Sequence, residues 1–169
     1  MTRAGLVVWS TVLGSTAVAL ATLALDVPTP AATVGLAPAV SAALGTAAVL
    51  VTTVGRPVGG RRMPLSGRVR LAKHAFIALL AVNEELVWRR LVLGESLRAG
   101  AMVAATVSTV GFAIAHRARQ PTHLVTGAAF SGLYVATGTL LAPIVAHWGY
   151  NAALALRIDR APPPREVPS

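Results

Sequence analysis

An all-α fold, a polytopic transmembrane bundle of about six helices, is what the sequence predicts, on three observations. Of 169 residues, 54% are hydrophobic and only 12% charged, and the mean hydropathy is +0.65, too apolar for a soluble domain of this length. The apolar residues fall into separate runs, several near the roughly 20 residues that a helix needs to cross a bilayer core. The basic residues collect between those runs, so the net charge of +9 reads as a topology signal. That placement, with no interleaved aromatics and no polar domain, argues against nucleic acid as a partner. Cysteine is absent, which excludes disulfides, thiolate catalysis and Cys-ligated zinc.

The first run, Ala4 to Leu25, carries no charge and is long enough to span. A signal peptide has a shorter apolar region, about 7–15 residues, so this segment is expected to be retained as a helix. Asp26-Val27-Pro28-Thr29-Pro30 reads as a tight connection, and Ala31 to Val54 as a second span. The most basic stretch follows, with Arg56, Arg61, Arg62, Arg68, Arg70 and Lys73; the positive-inside rule places it in the cytoplasm.

A third segment, Leu71 to Leu93, is apolar except for His74 and the group Asn83, Glu84, Glu85, Arg89 and Arg90. The fourth, about Ala101 to His116, and the fifth, about His123 to Leu140, are rich in small residues; the sixth runs from near Ala142 to about Ile158. Arg3, the loop with Arg117 and Arg119, and the tail with Arg157, Arg160 and Arg165 then share a side with the basic loop. Both termini are thus expected in the cytoplasm. The expected organisation is one transmembrane domain over 1–158, with its polar motifs in 71–153, and a disordered Pro-rich tail over 159–169. Ala128, Gly132 and Ala136 recur at four-residue spacing, a strip against which another helix could approach closely.

Three constellations stand out against this background. Ionised side chains at the centre of a membrane helix cost about 2.5–3.5 kcal/mol each, so Glu84, Glu85, Arg89 and Arg90 must face protein or water. Glu85 and Arg89 stand four residues apart in the favourable order for an ion pair. Glu84 is left as a carboxylate suited to act as a general base on water. A buried salt-bridge network of all four charges fits the same residues. Phe112 and His116 share one face of the fourth helix, so an apolar wall adjoins an imidazole; an ordinary interfacial histidine is the alternative. His147 and Asn151 repeat the spacing and could both donate hydrogen bonds to an oxyanion, or simply join two helices. His74 and His123 fit no such pattern and are expected at the interface.

Taken in order, Glu84-Glu85-x-x-x-Arg89, Phe112-x-x-x-His116 and His147-x-x-x-Asn151 resemble the signature of the CPBP family, the CAAX proteases and bacteriocin-processing (Abi) enzymes. The likeness covers about Leu71 to Ala153 and departs from the family at Arg90, where glycine is frequent. It implies an intramembrane endopeptidase acting on a membrane-embedded or lipidated protein or peptide, in the plasma membrane of a prokaryotic cell. It further implies that Glu84 with His116 activates water, and that His147 with Asn151 holds the oxyanion. Glu85, Arg89 and Phe112 would support them. The family is often labelled metalloprotease, and Glu84, His116 and His147 could ligate a catalytic zinc. There is no His-Glu-x-x-His helix, and a metal-free glutamate-activated water better explains Asn151, so no cofactor is favoured.

Two other functions use the same residues. One is an inactive scaffold or immunity protein that binds a partner through the same groove. The other is an ion or proton transporter, disfavoured by the lack of an inverted repeat.

Overall fold

The computed structural model describes residues 3–55, 67–117 and 120–160. They form six long helical segments and, among the described residues, no strand. These are α1 (Arg3–Leu23), α2 (Leu36–Thr53), α3 (Gly67–Glu85), α4 (Ala101–Ala115), α5 (Gln120–Thr137) and α6 (Leu141–Arg160). The loop with Arg56, Arg61 and Arg62, the residue Arg119 and the tail 161–169 lie outside the described residues. Helix α6 runs on through Asp159 and Arg160, the first two residues of the expected tail. Among the described residues one helix, α2, is long and apolar enough to cross a membrane; Trp9–Leu23 and Ala101–Ala115 are apolar but shorter.

The tightest packing is between α2 and α6. Ala39, Ala43 and Ala47 line one face of α2 at four-residue spacing and are buried. Ala142, Ala146 and Tyr150 of α6 meet that face, and Phe130 of α5 joins them. Side chains this small let two helix backbones come close and gain dispersion contacts along their length. The strip Ala128, Gly132 and Ala136, expected to receive a helix, instead faces outward and is exposed. Phe130, Ser131, Tyr134 and Thr137 take the inner face of α5 in its place, because the bulkier side chains fill the space between helices.

The third segment, expected as one α-helix, changes pitch. After Glu85 the chain continues as a π-helix over Leu86–Leu93, then a short turn at Gly94–Ser96 and a 3-10 turn at Leu97–Ala99. A π-helix bonds i to i+5 and is frequent at functional sites. Here it turns two adjoining arginines toward different neighbours. Arg89 is fully buried. Arg90 donates from Nε to the Thr22 carbonyl at 3.1 Å and from Nη2 to that of Leu25 at 3.1 Å. Helix α1 has no basic residue in its last turn, so Arg90 supplies the cation and the donors that its free carbonyls need. Arg157 does the same for α2, donating to the carbonyls of Val51 at 2.8 Å and Gly55 at 3.2 Å. One turn before the π-helix, Asn83 Nδ2 donates to Ser15 Oγ at 3.2 Å and to Thr16 Oγ1 at 2.8 Å. Polar bonds therefore fasten α1 on both sides of the Glu84–Glu85 pair.

The α1–α2 connection is longer than expected, an irregular strap from Ala24 to Gly35. Val27 is buried and lies with Pro28 against Gly94, where a side chain would collide with both. Further on, Ala31 and Ala32 cross Gly138, whose φ of +69° suits glycine and whose missing Cβ makes room for them. Thr33 then bonds through its amide to the Thr137 carbonyl at 3.4 Å and through its hydroxyl to that of Ala136.

Candidate active site

Glu84 and Glu85 close α3, and helical geometry turns adjacent side chains roughly 100° apart. Glu85 thereby points into the bundle and is fully buried, while Glu84 stays partly accessible, with 28% of its side chain exposed. Glu85 divides its carboxylate between two partners. Oε2 lies 3.1 Å from Arg89 Nε, and Oε1 lies 2.7 Å from Nδ1 of His147. A carboxylate has two acceptor oxygens, so one residue can neutralise a cation and orient an imidazole at once. Arg89 in turn donates from Nη2 to the Gly127 carbonyl at 3.1 Å. Its Nη1 has no acceptor; the guanidinium instead lies 4.8 Å from the centre of the Phe112 ring and 5.6 Å from that of Phe130, where the ring faces offer negative charge.

Both histidines of the expected site direct Nε2 at the same atom. His116 Nε2 lies 3.5 Å from Glu84 Oε2 and His147 Nε2 lies 3.7 Å from it. Each ring is set from its other nitrogen. His116 leaves α4 with φ −99° and ψ 65°, and its Nδ1 stands 2.8 Å from the Phe112 carbonyl. A carbonyl only accepts, so Nδ1 carries the proton, and in the neutral ring Nε2 is the lone pair facing Glu84. His147 is fixed through Nδ1 by Glu85 and stacks on Phe130, with ring centres 4.8 Å apart and planes 23° from parallel. Phe112 meets its edge at 6.1 Å and 88°. Trp88 packs edge-on against Phe112 and fills the space that Gly111 leaves without a side chain.

Glu84, His116 and His147 thus converge from α3, α4 and α6, although His116 ends its helix and His147 lies early in its own. The shortness of α4 reconciles the two, since 15 residues rise only about 22 Å. Asn151 stands one turn beyond His147 on α6, half-buried, and among the described residues it bonds to none of the three. No group of three or more His, Asp or Glu side chains among the described residues is arranged to hold a metal ion. Sequence reasoning paired Glu85 with Arg89 and missed that it also holds His147. It also passed over Phe130 and His123, which rest against the two site histidines. For Phe130 the signal was its place one turn before Tyr134 on an inward-facing stripe.

Residues 71–153, about half of the chain, match the family model described as type II CAAX prenyl endopeptidase Rce1-like. No curated protein and no solved structure matches the chain. The matched span opens in α3 and closes on α6 just past Asn151, so it holds all three motifs and every side chain of the cluster. Through that span the chain belongs to the CAAX protease (CPBP) family, a family of membrane-associated proteases.

Proposed function

We propose that the chain is a multi-pass membrane endopeptidase in which Glu84 and His116 activate a water molecule for attack on a peptide carbonyl. The observation that carries the reading is the convergence of two imidazole Nε2 atoms on one carboxylate oxygen, Glu84 Oε2. Glu84 and His116 are close enough to address the same water, each accepting one of its protons. Glu84 takes the proton as the oxygen attacks and returns it to the departing amine. His147, doubly protonated between the carboxylates of Glu84 and Glu85, donates from Nε2 to the tetrahedral oxyanion, and Asn151 adds its amide from the next turn. Glu85 and Arg89 keep the His147 ring in place. No step is routed through a metal.

The membrane setting is supported by the outer surface. Leu13, Leu20, Leu44, Val49, Met102 and Ile114 are all exposed, Met102 by 82%, and come from three different helices. A continuous apolar exterior suits a lipid environment better than water. The substrate that suits this reading is a membrane-embedded or lipidated protein or peptide cleaved at the bilayer, with both termini of the enzyme in the cytoplasm.

The test is Glu84→Gln in reconstituted vesicles with an internally quenched prenylated peptide. The variant keeps the shape of the side chain and removes the base. Hydrolysis at the wild-type rate would overturn the mechanism.

A further inference from the structure

Helices α4 and α5 run antiparallel and come close where Gly127 receives Phe112; a Cβ on Gly127 would stand 3.2 Å from the Phe112 ring. His116 lies one turn beyond Phe112, and His123 one turn before Gly127. In antiparallel helices those two steps lead the same way, and the rings meet. Their centres are 4.5 Å apart with planes 30° from parallel. Phe112 touches both, at 4.4 Å from His116 and 5.5 Å from His123. His116 has already left α4, so its ring is not held by helical packing of its own backbone. One bond, from Nδ1 to the Phe112 carbonyl, leaves the ring free to swing about that contact, and a neighbour on its face removes the freedom.

We propose that His123 is a positioning residue, whose ring stacks on His116 and keeps Nε2 aimed at Glu84. The inference rests on the reading that Glu84 and His116 activate the water. What matters is the flat ring of His123, not its nitrogens, since productive geometry depends on an imidazole held within a fraction of an ångström.

The experiment compares His123→Ala, His123→Phe, His123→Gln and Glu84→Gln with the full-length protein in vesicles, reading kcat and KM on the quenched prenylated peptide. His123→Ala is expected to lower kcat about five-fold with KM unchanged, the size of effect one aromatic pair supplies. His123→Phe, which restores a ring of similar size, recovers most of that loss, whereas His123→Gln does not. Should the alanine variant fail to fold, the contrast of Phe with Gln carries the same test. An unchanged kcat without the ring, an equal loss in the phenylalanine variant, or a raised KM in place of a lowered kcat would each overturn the inference. Inactivity of Glu84→Gln beside any of those results leaves the water-activation reading in force, and retained turnover in Glu84→Gln brings down both.

Discussion

The site has a dry half and an open half, and the boundary runs between two adjacent identical residues. On the dry side Glu85, Arg89 and His147 are enclosed, with the first two wholly buried. On the open side Glu84 and His116 each leave a little over a quarter of the side chain accessible. The dry half satisfies its charges internally, through an ion pair, a carboxylate–imidazole bond and two ring faces. The open half keeps its polar atoms turned toward one another without locking them together. The difference shows that a change of direction of one residue along a helix is enough to separate a group that holds geometry from one free to exchange protons with water.

Loss of the open carboxylate tests that separation hardest. Glu84→Gln is expected to lower the rate of peptide hydrolysis by about 10²–10⁴-fold, the usual contribution of a general base, with thermal stability in detergent unchanged. A variant that lost stability in place of activity would show that Glu84 belongs to the dry half after all. Next comes the opposite experiment. Arg89→Ala strands Glu85 in the interior and should destabilise the fold by about 3–5 kcal/mol, read from its unfolding transition. The double replacement Glu85→Leu with Arg89→Met removes both charges and should restore most of that stability without restoring activity, because His147 Nδ1 then has no acceptor. Recovery of activity by the double variant would mean that Glu85 does not position the imidazole.

Asn151→Ala should cost about 10²-fold in kcat while leaving the fold intact, placing this half-buried amide with the open side. The smallest effect is expected at the margin. Arg90→Gln withdraws the cation from the end of α1 and should lower stability by about 1 kcal/mol, measured by the same unfolding transition, with hydrolysis nearly as fast as in the wild type.

Much of this was legible in the sequence where a pattern is set by helix pitch alone. The pairs Glu85–Arg89, Phe112–His116 and His147–Asn151 each repeat at four residues, so the sequence places each on one face and the long apolar runs separate the six helices. What it could not show depends on contacts across the bundle. The bond from Glu85 to His147 joins residues 62 positions apart. The anchoring of α1 by Asn83 and Arg90 is equally remote in sequence. The small-residue strip misled for a related reason. Alanine and glycine at four-residue spacing permit close approach without saying which of two such helices uses it, and α2, nearly uniform in small residues, was the one that did. The pitch change at Leu86–Leu93 leaves no mark in composition.

That change of pitch also sets how this stretch tolerates a change in chain length. The π-helix between Leu86 and Leu93 carries its extra residue per turn as a stored rotation. Deleting one residue there would return the segment to ordinary α pitch and turn all that follows through about 100° relative to Glu84. Arg89 and Arg90 would exchange faces, the inner cation would point at α1, and the cap of α1 would face the rings. A one-residue gap at this point in an alignment of relatives is therefore a change of phase, of greater consequence than a loop insertion of ten.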